Sequence, residues 1–203
     1  SLADKQGNFD EALAFHDHAI ELDPHNPKLY AARADVYIKQ GDVERAREGI
    51  KYALALDPEC AEARLLRAML MADEGDLDGA IAEYDQLVDY KWFYVDAYLA
   101  RGRAYSLKGN YDRALTDYDT ASKVVEDASL TFAHRAETYF RMGDYDRAIG
   151  ECDSILSKQT MTPLAWIIAL VTRGKSYAAK GENELAAHAF AEALRSEPYN
   201  AGM

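Results

Sequence analysis

The chain has 203 residues, 49% of them hydrophobic, and a formal net charge of −12. That is enough apolar side chain to build a core, while the acidity counts against nucleic acid or an anionic membrane surface as a partner, since both need a cationic face. The longest unbroken apolar run, Leu164 to Val171, falls well short of the ~20 residues that span a bilayer, so membrane insertion is not expected. Cys60 and Cys152 stand in no CxxC or CxxH context, which predicts neither a disulfide framework nor a zinc site and requires no oxidising compartment.

Along the chain a motif G-[DNE]-x-[DE]-x-A starts at Gly7, Gly41, Gly75, Gly109, Gly143 and Gly181, at four intervals of 34 residues and one of 38. Residues 1–26 hold the last turn of one helix and a complete second helix from Phe9 to Asp23. Full units follow over 27–60, 61–94, 95–128, 129–166 (with a short insertion) and 167–203. Seven residues before each full unit's glycine comes a small residue: Ala34, Ala68, Gly102, Ala136, Gly174. Four before it comes Tyr37, Met71, Tyr105, Tyr139 or Tyr177. Proline closes three units at Pro24, Pro58 and Pro198.

Each unit reads as two amphipathic helices joined at the glycine, which takes φ > 0 and ends the first helix. The Asp or Asn that follows caps the second helix, and the acid two residues on suits its positive end. One such pair cannot bury its apolar faces alone, so neighbours must stack. The first helix of the opening unit is missing, and Asn200 to Met203 begin what reads as a further unit. The chain is therefore expected to be a piece of a longer array, with Ser1 a foreign residue.

Tyr98-x2-Arg101-Gly102-x2-Tyr105…Ala114-x3-Tyr118, with counterparts from Phe132 to Cys152 and from Leu170 to Pro198, resembles the tetratricopeptide repeat family. The resemblance covers nearly the whole chain as a single array. It implies an all-α fold, a right-handed α-solenoid of stacked antiparallel helix pairs. It also implies a protein-interaction scaffold rather than an enzyme.

Three departures from the family pattern stand out. Arginine replaces the usual leucine in all five full units: Arg33, Arg67, Arg101, Arg135 and Arg173. Sixteen residues later Glu83, Asp117 and Glu151 are placed to bridge the two helices of a unit to Arg67, Arg101 and Arg135. Arg33 and Arg173 meet Gly49 and Ala189 there, and are expected to reach solvent or a neighbouring repeat. Second, Tyr90-Lys91-Trp92-Phe93-Tyr94 replaces an inter-repeat turn, either as an interaction hot spot or as packing. Third, four extra residues around Pro163 to Trp166 lengthen a turn or the first helix of the last unit. The Leu164–Val171 helix they introduce is apolar all round, so it is either covered or a sticky face.

No nucleotide, nucleophile or metalloprotease signature is present. His16 and His18 are two residues apart and face different sides of a helix, so they do not pair on a metal. Cys152, at a family aromatic position, is predicted core; Cys60 lies in a turn. No cofactor is expected.

By the family resemblance, residues 13, 10, 6 and 3 before each turn glycine line a concave groove that takes a partner peptide or helix. The candidates so placed are Leu65, Met69, Leu99, Arg103, Leu130, Glu137, Phe140 and Lys175. None of the stripes contains asparagine, so neither a carboxylate clamp nor an asparagine ladder of the family is matched. The alternatives are a non-catalytic region of a larger enzyme or regulator, and self-association through exposed terminal helices or the Leu164–Val171 helix.

Overall fold

The computed structural model describes the backbone of residues 2–88, 94–158 and 161–195, and the side chains of these except 2–7 and 94. Among the described residues all regular structure is helical. The helices are α1 (Leu2–Leu22), α2 (Pro27–Gln40), α3 (Val43–Leu56), α4 (Ala61–Asp73), α5 (Leu77–Leu87), α6 (Tyr94–Leu107), α7 (Tyr111–Ser122), α8 (Ser129–Met142), α9 (Tyr145–Leu156), α10 (Pro163–Ala179) and α11 (Asn183–Arg195).

They form two compact units, Ser1–Phe93 and Tyr94–Met203. In the first, α2 pairs with α3 and α4 with α5; α1 packs on α2, and α4 on both α2 and α3. In the second, α6 pairs with α7, α8 with α9 and α10 with α11. Its first helices also pack on one another, α6 on α8 and α8 on α10.

The turns follow from the repeated glycine. Gly41 takes φ 84° and Gly143 φ 82°, a region that only glycine enters without steric cost, and Gly75, Gly109 and Gly181 do the same. The N–H groups of Asp42 and Asp144 then donate to the carbonyls of Tyr37 and Tyr139, each at 2.9 Å, closing the helix end five residues back. The side chains of Asp42, Asp76 and Asp144 cap α3, α5 and α9, each accepting from the N–H three residues on. Asn110, in the same place, makes no side-chain cap.

One expectation changes and one pair of alternatives is decided. A turn was expected at Gly7, yet α1 runs unbroken from Leu2 to Leu22. Six residues give less than two helical turns, too little apolar surface to fold back, and a glycine inside a helix costs only about 1 kcal/mol. The extra residues near Pro163 resolve as helix: α10 has 17 residues against 14 in α2, α6 and α8. Thr162 caps it and Pro163 takes its first position, where a missing N–H costs nothing. The division at 166/167 drawn from the sequence falls inside this helix.

The core is built from small residues on the first helices against larger ones on the second. Ala34, Ala68 and Ala136 are fully buried, as are Cys152 and Ile155, and Tyr84 and Tyr118 nearly so. In the α10 segment Ala165, Ala169 and Leu170 are buried, Trp166, Ile167, Ile168 and Val171 half-buried, and Leu164 exposed. Most of that helix is therefore covered within its own unit. The Tyr90–Tyr94 cluster, Pro198 and Asn200–Met203 lie outside the described residues or side chains.

Candidate functional site

The five arginines tie the repeats together. Arg67 Nη2 donates to Glu83 at 2.6 Å, and Arg135 Nη2 to Glu151 at 2.6 Å. Arg101 holds Asp117 through Nε at 2.9 Å and Nη2 at 2.7 Å. All three bridges join the two helices of one pair in the register read from sequence. Arg33 and Arg173 are not left to solvent. Arg33 Nη1 reaches back to Asp17 on α1 at 2.6 Å. Arg173 Nη1 reaches Asp153 on α9 at 3.1 Å, while its Nη2 finds Glu192 on α11 at 3.0 Å, one turn beyond Ala189. Arg135 has a second acid of this kind, Asp119 on α7, with Nη1 at 2.7 Å.

Aromatic faces hold three of these guanidinium groups from below: Arg33 lies 5.7 Å from the Tyr30 ring, Arg101 5.0 Å from Tyr98 and Arg135 4.7 Å from Phe132. Stacking plus paired carboxylates explains why arginine, with its flat fork, occupies a position the family gives to leucine.

The four-position stripe of the first helices divides by depth. Of the residues six before the glycine, Met69, 37% exposed, Arg103 and Lys175 are on the surface and Asp35 and Glu137 half-exposed; Lys28, Asp96 and Ala178 at the ends of the stripe are exposed as well. Leu65, Leu99, Leu130 and Phe140 are half-buried beside them. Leu130 shares its buried part with Ala133 and Ile155, and Phe140 lies 5.8 Å from the ring of Tyr145. At the inner edge Ala31, Ala133 and Ser106 are fully enclosed and cannot meet a ligand. Within the second unit α6 packs on α8 and α8 on α10, which sets Arg103, Glu137 and Lys175 on consecutive helices with alternating charge. On α4, Leu65 and Met69 follow Glu62, whose carboxylate accepts from Lys28 of α2 at 2.9 Å. That pair raises the Lys28 pKa through its hydrogen bond to Glu62.

Glu137 is the most perturbed acid of the stripe. The imidazole of His134, with Nδ1 at 4.0 Å, and the Arg141 guanidinium at 3.2 Å draw its pKa down to about 2. Beneath it lies a polar layer that sequence reasoning missed. Thr138 donates to Ser106 across α8 and α6 at 2.8 Å, fully buried, and His134 stacks on Tyr118 with centroids 6.3 Å apart. Hydroxyl residues alternating with alanine at this depth gave no periodic signal.

Neither cysteine is activated as a nucleophile. Burial pushes the Cys152 thiol up to about 12 and raises that of Cys60, the opposite of activation. Among the described residues no group of three metal-ligating side chains comes together, and no helix is long and apolar enough to cross a membrane.

Paired helices closed by left-handed glycines and stacked through repeated side chains define an all-helical repeat protein. Three family models, each described as tetratricopeptide repeat, match residues 5–70, 61–86 and 99–163, and the chain belongs to the tetratricopeptide repeat family. Repeats of this family are generally protein-interaction modules and typically non-catalytic scaffolds.

Among solved structures, a tetratricopeptide repeat protein from Parabacteroides merdae ATCC 43184 is 26% identical, with a TM-score of 0.76 over 96% of this chain and 75% of that one. A chain of the APC/C hetero-tetramer Cut9–Hcn1 is 19% identical with a TM-score of 0.81, over 95% of this chain and 38% of that one. A thermophilic protein of the same repeat type from Thermus thermophilus is 20% identical with a TM-score of 0.73, over 86% of this chain and 93% of that one. The last two show the fold alone. No curated protein matches the sequence.

Proposed function

We propose that the chain is a scaffold that docks protein segments on the accessible stripes of its first helices, with Leu65 and Met69 as contacts in the first unit and Leu99, Arg103, Leu130, Glu137, Phe140 and Lys175 in the second. The observation that carries this is the alternating column Arg103, Glu137, Lys175 on three packed helices, flanked by half-buried Leu99, Leu130 and Phe140. Two or three apolar side chains of a partner would fill the flanks while its charges match the column. Helices held by arginine bridges lose little freedom on binding, so the surface is pre-organised.

The test is a pull-down from the host's lysate comparing wild type with Leu99→Glu/Arg103→Glu/Phe140→Ala, after circular dichroism shows the variant still helical. Partners caught by wild type and lost by the variant are expected. Partners retained by both would place binding elsewhere. A second reading, self-association, is favoured by Phe15 and Leu22, 70% and 74% exposed and seven residues apart on one face of α1. Mass measured by light scattering across a concentration range distinguishes it.

A further inference from the structure

The aspartates that take the Nη1 of Arg33, Arg135 and Arg173 form a column of their own. Asp17, Asp119 and Asp153 stand at places separated by multiples of 34 residues, on α1, α7 and α9, each the helix just before the arginine's own. The same clock puts Asp85 in the column, and puts Lys51 where the first full repeat should have its acid. Arg67, which should receive that acid, keeps its Nη2 bond to Glu83, but its Nη1 meets no partner among the described residues.

The charge around this position is inverted in a second way. Where Tyr30, Tyr98 and Phe132 put a ring three residues before the arginine, this repeat has Arg64, 5% exposed, and its Nε takes Glu83 at 3.1 Å. Glu83 is thus shared between two guanidinium groups. Arg47 pairs with Glu74. Lys51 has no ion-pair partner among the described residues, in a protein with twelve more acids than bases.

Lys51 and Arg67 line one cavity of about 450 Å³ between α3 and α4, together with Arg47, Ile50, Leu54 and Leu70. Ile50 and Leu70 are buried, 4% and 6% exposed, so the floor is apolar. At 100° per residue, Arg67 and Met71 lie on the side of α4 opposite Leu65 and Met69. The cavity is therefore distinct from the groove.

We propose that this cavity is a second docking site, for a protein segment that carries an Asp or Glu beside a leucine-like side chain. The carboxylate takes the place of the missing aspartate, between Arg67 Nη1 and Lys51 Nζ, and the apolar neighbour lies against Ile50, Leu54 and Leu70. The chain itself supplies the template, since Asp17, Asp119 and Asp153 make this bond internally at the other positions.

The test is an NMR titration of the 15N-labelled 203-residue chain with acetyl-Gly-Ser-Asp-Leu-Leu-Gly-Ser-amide and with its Asp-to-Asn analogue. Saturable shifts are expected at Arg47–Ala55 and Arg67–Met71, about fivefold weaker for the Asn peptide, as loss of roughly 1 kcal/mol of ion pairing implies. Lys51→Asp should fill the slot from within, bind at least about tenfold more weakly, and unfold at the same or a higher temperature. Should that variant fail to fold, Lys51→Gln must still weaken binding by about fivefold. The groove variant Leu99→Glu/Arg103→Glu/Phe140→Ala should bind as wild type, so failure of the groove reading leaves this one standing. No saturable shift, equal binding of the Asn peptide, or unchanged binding to the folded Lys51 variant each overturns the proposal. So do loss of binding in the groove variant, and shifts at these residues that follow protein concentration alone, which would give the slot to a second copy.

Discussion

The ring of Tyr118 on α7 fills the space beside Gly102 on α6: a Cβ added at Gly102 would sit 2.7 Å from Tyr118 Cε1. Gly174 and the Phe190 ring repeat the relationship at 2.6 Å. Where the second helix carries Cys152 instead of a ring, the first carries Ala136. Small and large residues on the two helices are thus matched across these pairs.

Gly102→Ala should therefore destabilise the chain by about 1–3 kcal/mol, although alanine is the better helix former. Gly150 on α9 is exposed and has nothing within 4 Å of a Cβ. Gly150→Ala should stabilise by about 1 kcal/mol. Urea denaturation of the two variants gives opposite signs if packing decides; the same sign for both would show that propensity does.

Asp117 is 4% exposed and held at two points by Arg101. Removing one partner of such a pair strands the other, so Arg101→Leu alone should cost about 3 kcal/mol. Arg101→Leu/Asp117→Ala should recover much of that loss, because no charge remains buried. A double-mutant cycle on thermal or urea midpoints measures the difference.

Glu137 has a folded-state pKa of about 2, below its unfolded value. Its stabilising contribution is present above about pH 4.5 and is lost as pH falls through about 2. Stability of wild type should fall over that window by about 1 kcal/mol more than that of Glu137→Gln, the half-exposed carboxylate being screened by solvent. Parallel acid limbs for the two proteins would contradict this.

Both cysteines should be silent to a thiol reagent at pH 8 in the folded chain and react on unfolding. Cys152 is fully buried with its pKa pushed up to about 12, above the unfolded value near 8.5. The same shift removes stability as pH rises above about 9, since the unfolded state then releases the proton first. Labelling of Cys152→Ser reports Cys60 separately.

The glycine turns, the bridges from Arg67, Arg101 and Arg135, and the burial of Cys152 were legible because each depends on residues within one 34-residue unit. The acids that Arg33, Arg135 and Arg173 reach across a repeat boundary were not, since Asp17, Asp119 and Asp153 lie on the preceding unit and the insertion shifts the last of them to a spacing of 20. Gly7 misled because a turn residue makes a turn only when both flanking helices have something to pack. Helical spacing placed the candidate groove residues on one face, but it did not separate Arg103 and Lys175 at the surface from Ser106 and Ala133 beneath it. That depth depends on the neighbouring helix.

An arginine bound at one end to its own pair and at the other to the preceding pair couples the folding of one repeat to the next. Arg135 and Arg173 make such a clasp at the α7–α8 and α9–α10 joints, and Arg33 ties α2 to α1 through Asp17 alone. Between α3 and α4 the corresponding residues, Lys51 and Arg67, are both basic, and the pair that joins these helices is Arg47 with Glu74 instead. The first unit therefore couples its repeats by different ion pairs, Arg33 with Asp17 where α1 meets α2 and Arg47 with Glu74 where α3 meets α4.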